Sequence, residues 1–250
     1  MGTDSPLVAR PHDVVLIHGT GSSAQMWQPH LNMLVSKGYR CFLPDLRGHG
    51  SSHEPEELTD LEVHLQDVLE TLKELDISFP AIFIGHSLGA TISLSLAETR
   101  PELVKQIFAV GMPAKVLPAV ALAFRLFMSS PYEKLRGTDF HKSLPWRQRM
   151  MIDTHRHSLG QIVDNFSDLD FISNRVLDIK CPVHFAVGRW DPVAPHYYVA
   201  KLHEAMPGST LQVFEWGGHN FMDQYPEQFG DWLHKYLDDT EGHKDCWAKR

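Results

Sequence analysis

Cysteine is scarce in this chain. Cys41, Cys181 and Cys246 are the three in 250 residues, an odd number at wide spacing. That pattern excludes a disulfide-built scaffold and fits no thiolate metal site. The expectation is reduced thiols in a cytoplasmic protein. Long hydrophobic runs are missing too: no stretch reaches the roughly 20 apolar residues that span a bilayer. Residues Met1 to Arg10 are polar and lack the apolar centre of a secretory leader, so none is expected. Excess positive charge is absent. Lys and Arg number 23 against 31 Asp and Glu, for a net charge of −8. A surface of that sign repels nucleic-acid phosphates and anionic lipid, so neither is an expected partner. No internal repeat or low-complexity tract is present. Histidine, by contrast, is plentiful at sixteen. His155 and His157, two apart, would not share a helix face, so no metal pair is expected there.

What the chain does have is alternation. Asp13 to His18, Tyr39 to Leu43, Ala81 to Ile84, Val104 to Val110, Pro182 to Val187 and Leu211 to Phe214 read as strands. Helical patterns lie between them. Met26, Trp27, Leu31, Leu34 and Val35 mark one face of a helix ending near Gly38. Leu58 to Leu75 is amphipathic through Leu61, Leu65, Val68, Leu69 and Leu72. Further helices are expected up to about Thr99, over Tyr197 to Met206 and over Tyr225 to Leu237. Strand–helix repetition specifies an α/β fold with a mostly parallel sheet and helices on both faces. Ligands of such sheets bind beyond the carboxyl ends of the strands.

The alternation stops at Met112 and resumes after about Asp178. Pro118 to Met128, Leu144 to His157 and Ser158 to Phe166 look helical there. The expected division is a core of residues 1–111 and 179–250 with an inserted helical cap of 112–178. Leu122, Phe124, Leu126 and Phe127 make the first cap helix nearly continuous in hydrophobicity. It reads first as core-facing, and second as a lid lining a pocket or meeting lipid. The charged tail from Asp238 is expected to fray.

Gly85-His86-Ser87-Leu88-Gly89 is the stretch on which function turns. A strand precedes it and a helix follows, so Ser87 sits at the tip of a sharp turn. Taken alone, the five residues also fit a helix-capping serine between two turn glycines. Two more strand ends carry reactive candidates, Asp191 and His219. A serine hydroxyl needs a base within hydrogen-bond reach. Imidazole can take that proton and later return it, and a carboxylate on its far nitrogen fixes the tautomer. Donors for the resulting oxyanion are the N–H of Leu88 and the N–H of Thr20, in the loop after the first strand. Asp191 before Pro192 also fits a plain turn, and His219 a surface loop. Asp45 is a rival acid. Asp223 reads as a helix N-terminal residue.

These pieces together resemble the α/β-hydrolase fold family, over nearly the whole chain. The resemblance rests on His18-Gly19-Thr20-Gly21, Asp45-Leu46-Arg47-Gly48-His49-Gly50-Ser51-Ser52, the serine turn, Gly188-Arg189-Trp190-Asp191 and Gly218-His219. It implies a chain order of nucleophile Ser87, acid Asp191 and base His219, with Thr20 and Leu88 forming the oxyanion hole. By that order Asp45 comes too early. His18, His49 and His86 would support loops. No cofactor and no metal is implied, and the expected partner is a small-molecule ester. The implied activity is a serine esterase working on a small or medium carboxylic ester. The same three side chains could instead run a hydroxynitrile-lyase-like cleavage, carbon–carbon hydrolysis or perhydrolysis, or survive in a small-molecule receptor. The amino-terminal β-hairpin common in the family has almost no sequence here, as in plant methyl esterases and hydroxynitrile lyases.

Overall fold

The computed structural model of the chain describes residues 12–57, 59–158 and 179–237. The expectations for the first ten residues, for a helix over 159–166, for the tail from 238 and for Cys246 lie outside them. Among the described residues, the strands are β1 (Val14–Ile17), β2 (Cys41–Phe42), β3 (Ala81–His86), β4 (Val104–Val110), β5 (Val183–Gly188) and β6 (Thr210–Phe214). The helices are α1 (Gln28–Ser36), α2 (Leu61–Glu74), α3 (Leu88–Thr99), α4 (Pro118–Ser129), α5 (Asp139–Ser143), α6 (Trp146–Asp153), α7 (His196–Ala205), α8 (Phe221–Gln224) and α9 (Pro226–Leu237).

The strands form one sheet in the order β2-β1-β3-β4-β5-β6. Every neighbouring pair is parallel. Strands β1, β3 and β5 are buried at every position, which is why β1 and the first four residues of β3 read as unbroken apolar runs, whereas β5 carries buried His184. Successive side chains point to opposite faces. Val15, Ile17 and Phe83 join Leu65 of α2, Ile92 of α3 and Leu202 of α7 in one core. Val14, Leu16 and Ile82 join Leu34 of α1 with Phe229 and Trp232 of α9 in the other. Each large apolar side chain so buried contributes about 1.5–3 kcal/mol. No helix among the described residues is long and apolar enough to cross a membrane.

Element boundaries depart from expectation where local chemistry competes with the pattern. Asp60 Oδ1 accepts the Val63 N–H at 2.8 Å, so α2 starts at Leu61 rather than Leu58. Met26 and Trp27 lie in a 3₁₀ turn, Ala24–Trp27, before α1. Its three residues per turn shift the phase of the helix, and Val35, expected inside, is 57% exposed. The expected Tyr39–Leu43 strand keeps only the two residues of β2 that pair with β1, Cys41 opposite Val14 and Phe42 opposite Val15. The long helix expected over 144–157 is shorter, because Pro145 restricts the residue before it and α6 begins at Trp146.

Between β4 and β5 the described residues hold helices α4, α5 and α6. On α4, Val120, Ala121, Phe124 and Met128 pack against the core. Leu122 and Leu126 on the other side are 57% and 64% exposed. The core-facing reading thus describes one face of α4 and not the other.

Candidate active site

β3 and α3 meet at Ser87. Its N–H donates to the Val110 carbonyl on β4 at 2.9 Å. Its φ of 51° and ψ of −114° are conformations a side-chain-bearing residue avoids, and it is the one non-glycine residue with positive φ among those described. The flanking glycines are dictated by close approach. A Cβ on Gly85 would overlap the Gly89 backbone, and one on Gly89 would overlap the Ile17 carbonyl oxygen. Both are backbone atoms that cannot swing aside. Gly89→Ala is therefore expected to destabilise the fold by about 1–3 kcal/mol or more, read as a lower denaturant midpoint at unchanged slope.

Asp191 and His219 sit on the loops after β5 and β6. These loops abut backbone to backbone: Trp190 N–H donates to the Gly217 carbonyl at 2.9 Å, and a Cβ on Gly188 would overlap Gly217. The contact delivers a hydrogen bond from His219 Nδ1 to Asp191 Oδ2 at 2.8 Å. Asp191 is buried, and its other oxygen accepts the N–H groups of Val193 and Ala194, each at 2.8 Å. Three donors thus converge on this carboxylate. With Nδ1 committed, His219 has Nε2 as the ring nitrogen that can take up a proton.

Ser87, His219, Thr20 and Leu88 all line one cavity of about 270 Å³ at the carboxyl ends of the strands. The sequence-named side chains are therefore gathered at one place, with Asp191 behind His219. Leu88 is the first residue of α3, where N–H groups have no intrahelical acceptor. Asp45 is elsewhere. Its oxygens accept Ala24 N–H at 2.7 Å and Ser51 N–H at 2.9 Å. Asp223 forms a two-point ion pair with Arg147 of α6. Arg147, Gln148, Met150, Met151 and Phe124 also line the cavity, and no sequence motif announced them. The sequence assigns His86 only a loop-supporting role. Its ring lies 4.8 Å from that of His219, and its Nε2–H donates to the His219 carbonyl at 3.1 Å. Burial pushes the Cys181 thiol up to about 12, leaving it a poor nucleophile. Among the described residues no cluster of three or more His, Cys, Asp or Glu could hold a metal ion.

A second group of histidines lies beneath the Thr20 loop. His18 and His49 have ring centroids 5.1 Å apart, and His49 and His64 6.2 Å. His18 Nε2 accepts the Leu46 N–H at 2.9 Å, and His49 Nε2 accepts the Gly21 N–H at 3.1 Å. Each Nδ1–H then donates within its own loop, to the Gly19 and Arg47 carbonyls, both at 2.9 Å. Burial, as the largest cause, lowers the proton affinity of all three, and holds His64 at about 4. The unfolded chain takes up these protons near pH 6.5, whereas the fold refuses them until lower pH. Stability is therefore unaffected above that pH and falls as pH drops from 6.5 toward 4. The His64 contribution alone is about 3 kcal/mol once the pH is below its folded value. Denaturant midpoints at pH 7, 5.5 and 4.5 check this, and His64→Gln should flatten the decline.

Comparison with known proteins gives the same architecture. The sequence pattern described as "Alpha/beta hydrolase family" matches residues 14–232. The non-heme chloroperoxidase of Streptomyces lividans is 27% identical over 244 residues, spanning 86% of this chain and 87% of that protein. Among solved structures, an esterase from Exiguobacterium antarcticum has a TM-score of 0.78 at 23% identity, over 92% of this chain and 93% of its own. The enol-lactonase of Burkholderia xenovorans LB400 has a TM-score of 0.77 at 20% identity, over 94% of each chain. At these identities the two structures speak for the fold alone.

Proposed function

The chain belongs to the alpha/beta hydrolase family, and from that premise we propose that it is a serine hydrolase of small or medium carboxylic esters. The observation that carries the proposal is the Asp191–His219 hydrogen bond of 2.8 Å, formed at the cavity that Ser87 lines in its strained turn. In this reading Ser87 Oγ attacks the ester carbonyl while His219 Nε2 takes its proton. Asp191 holds the ring in the tautomer with Nδ1 protonated and stabilises the imidazolium. The Thr20 and Leu88 N–H groups donate to the tetrahedral oxyanion. His219 returns its proton to the leaving alcohol, giving an acyl-enzyme. Water, deprotonated by His219, then releases the acid and regenerates Ser87.

The cavity walls support an acyl group of modest size. The described residues of the 112–178 insertion act as a cap in this reading, with α6 supplying Met150 and Met151 to the wall. The chloroperoxidase relative favours a second reading of the same acyl-enzyme. Hydrogen peroxide in place of water would yield a peracid and free Ser87.

A series of p-nitrophenyl esters of increasing chain length tests the proposal, run beside a cyanohydrin and with and without peroxide. An initial burst of nitrophenol, equal to one per protein, is the expected sign of the acyl-enzyme. Cyanohydrin cleavage without any ester turnover would end the hydrolase reading.

A further inference from the structure

We infer that His49 is a positioning residue for acyl transfer: it holds the Gly21 N–H, and so fixes one of the two peptide planes flanking Thr20, whose N–H is the proposed oxyanion donor. The inference rests on the proposed role of Thr20 as an oxyanion donor.

An oxyanion donor works only if its direction is set before charge develops. The loop over Gly19 to Ser23 has no regular structure to set it, and Gly21 adopts a φ of 68°. Side chains set it instead. A peptide unit is planar, so holding one end of it orients the other. The Thr20 N–H shares its plane with the Gly19 carbonyl, which accepts from His18 Nδ1 at 2.9 Å. The next plane joins the Thr20 carbonyl to the Gly21 N–H, which donates to His49 Nε2 at 3.1 Å. The two planes flanking Thr20 are therefore each held by one imidazole.

His49 suits this task in three respects. Its Nδ1–H is engaged by the Arg47 carbonyl at 2.9 Å, which makes Nε2 a bare acceptor. It is buried, so water does not compete for the Gly21 N–H. It comes from the loop after β2, which is tied back to the first loop through Leu46 N–H and His18 Nε2. Each loop thus sends an N–H to the other's imidazole. Asp45 adds a third tie, to Ala24, but at the far end of the loop from Thr20.

The test compares the parent chain with His49→Phe, which keeps a ring and removes the acceptor, and His49→Gln, whose amide oxygen restores one. Rates with a p-nitrophenyl ester are expressed per active site titrated with a fluorophosphonate. Exchange of the Gly21 amide hydrogen is followed in parallel. His49→Phe is expected to lower kcat about ten- to hundredfold with KM within about threefold, and His49→Gln to recover most of it. Gly21 exchange should quicken in the Phe variant only. If the Phe variant does not fold, His49→Asn, polar but too short to reach Gly21, takes its place. An unchanged kcat, or equal losses for acceptor-free and acceptor-bearing variants, overturns the inference. A lost kcat with unchanged Gly21 exchange overturns it as well. A parent that neither turns over esters nor takes up the fluorophosphonate overturns the hydrolase reading itself. Gly21 exchange separates the two failures, because it responds to His49 whether or not Ser87 reacts.

Discussion

Ser87→Ala should leave the fold intact and lower ester turnover by roughly 10⁶-fold, with the remainder supplied by binding and oxyanion donors. The change removes one oxygen atom, the proposed attacking atom. It does not alter the backbone demand at this position, because alanine has the same Cβ and meets the same steric penalty at a φ of 51°. Denaturation midpoints of parent and variant should agree within about 1 kcal/mol. Ser87→Gly sharpens the comparison. Glycine escapes a strain of about 1–3 kcal/mol at such a position, against about 1 kcal/mol of extra unfolded-chain freedom. The glycine variant should thus be equally inert and at least as stable as the parent. Undiminished turnover in the alanine variant would remove Ser87 from the mechanism.

Asp191→Asn is expected to be nearly as damaging, at about 10⁴-fold in kcat, and for a different reason. The carboxylate accepts three hydrogen bonds, from Val193, Ala194 and His219. Asparagine can keep the two backbone bonds with its oxygen. Its NH₂ group then faces His219 Nδ1, which must become an acceptor, so the ring proton moves to Nε2. That nitrogen can no longer take the proton of Ser87. The fold should tolerate the exchange, whereas Asp191→Ala would strand the buried Ala194 N–H, at about 1–3 kcal/mol, and the part-buried Val193 N–H. Full activity in a folded asparagine variant would mean that His219 is not oriented through this bond. Side by side, folding and turnover should part company in Asn and fail together in Ala.

The sheet was legible because burial on both faces leaves a plain record. Strands β1, β3 and β5 are mostly apolar, with His184 the polar residue inside β5, and each ends in a glycine or histidine loop. Ser87 was legible for a steric reason: Gly85 and Gly89 stand where a Cβ would overlap backbone. Asp191 and His219 were readable as strand-end residues, although the Gly188–Gly217 contact that joins them was not. Cavity residues such as Phe124, Arg147 and Met151 were hidden. They reach the site by tertiary packing of α4 and α6, which leaves no period or motif in the chain. Hydrophobicity marked α4 as a helix but could not divide its buried face from exposed Leu122 and Leu126. His49 belongs to a glycine-rich loop motif. Its partner Gly21 lies 28 positions away, a distance across which sequence alone gives no pairing rule.

The abutting loops after β5 and β6 carry a consequence for how the protein can be divided. The proposed acid and base are only 28 positions apart and belong to one strand–helix–strand unit, whereas the serine comes from β3, well before it. A break in the chain anywhere between α6 and β5 would leave the proton-handling pair whole in one fragment and the hydroxyl in the other. On the proposed mechanism neither half acts alone, and recovered turnover on mixing would report that the two pieces had re-formed a common sheet across the β4–β5 seam.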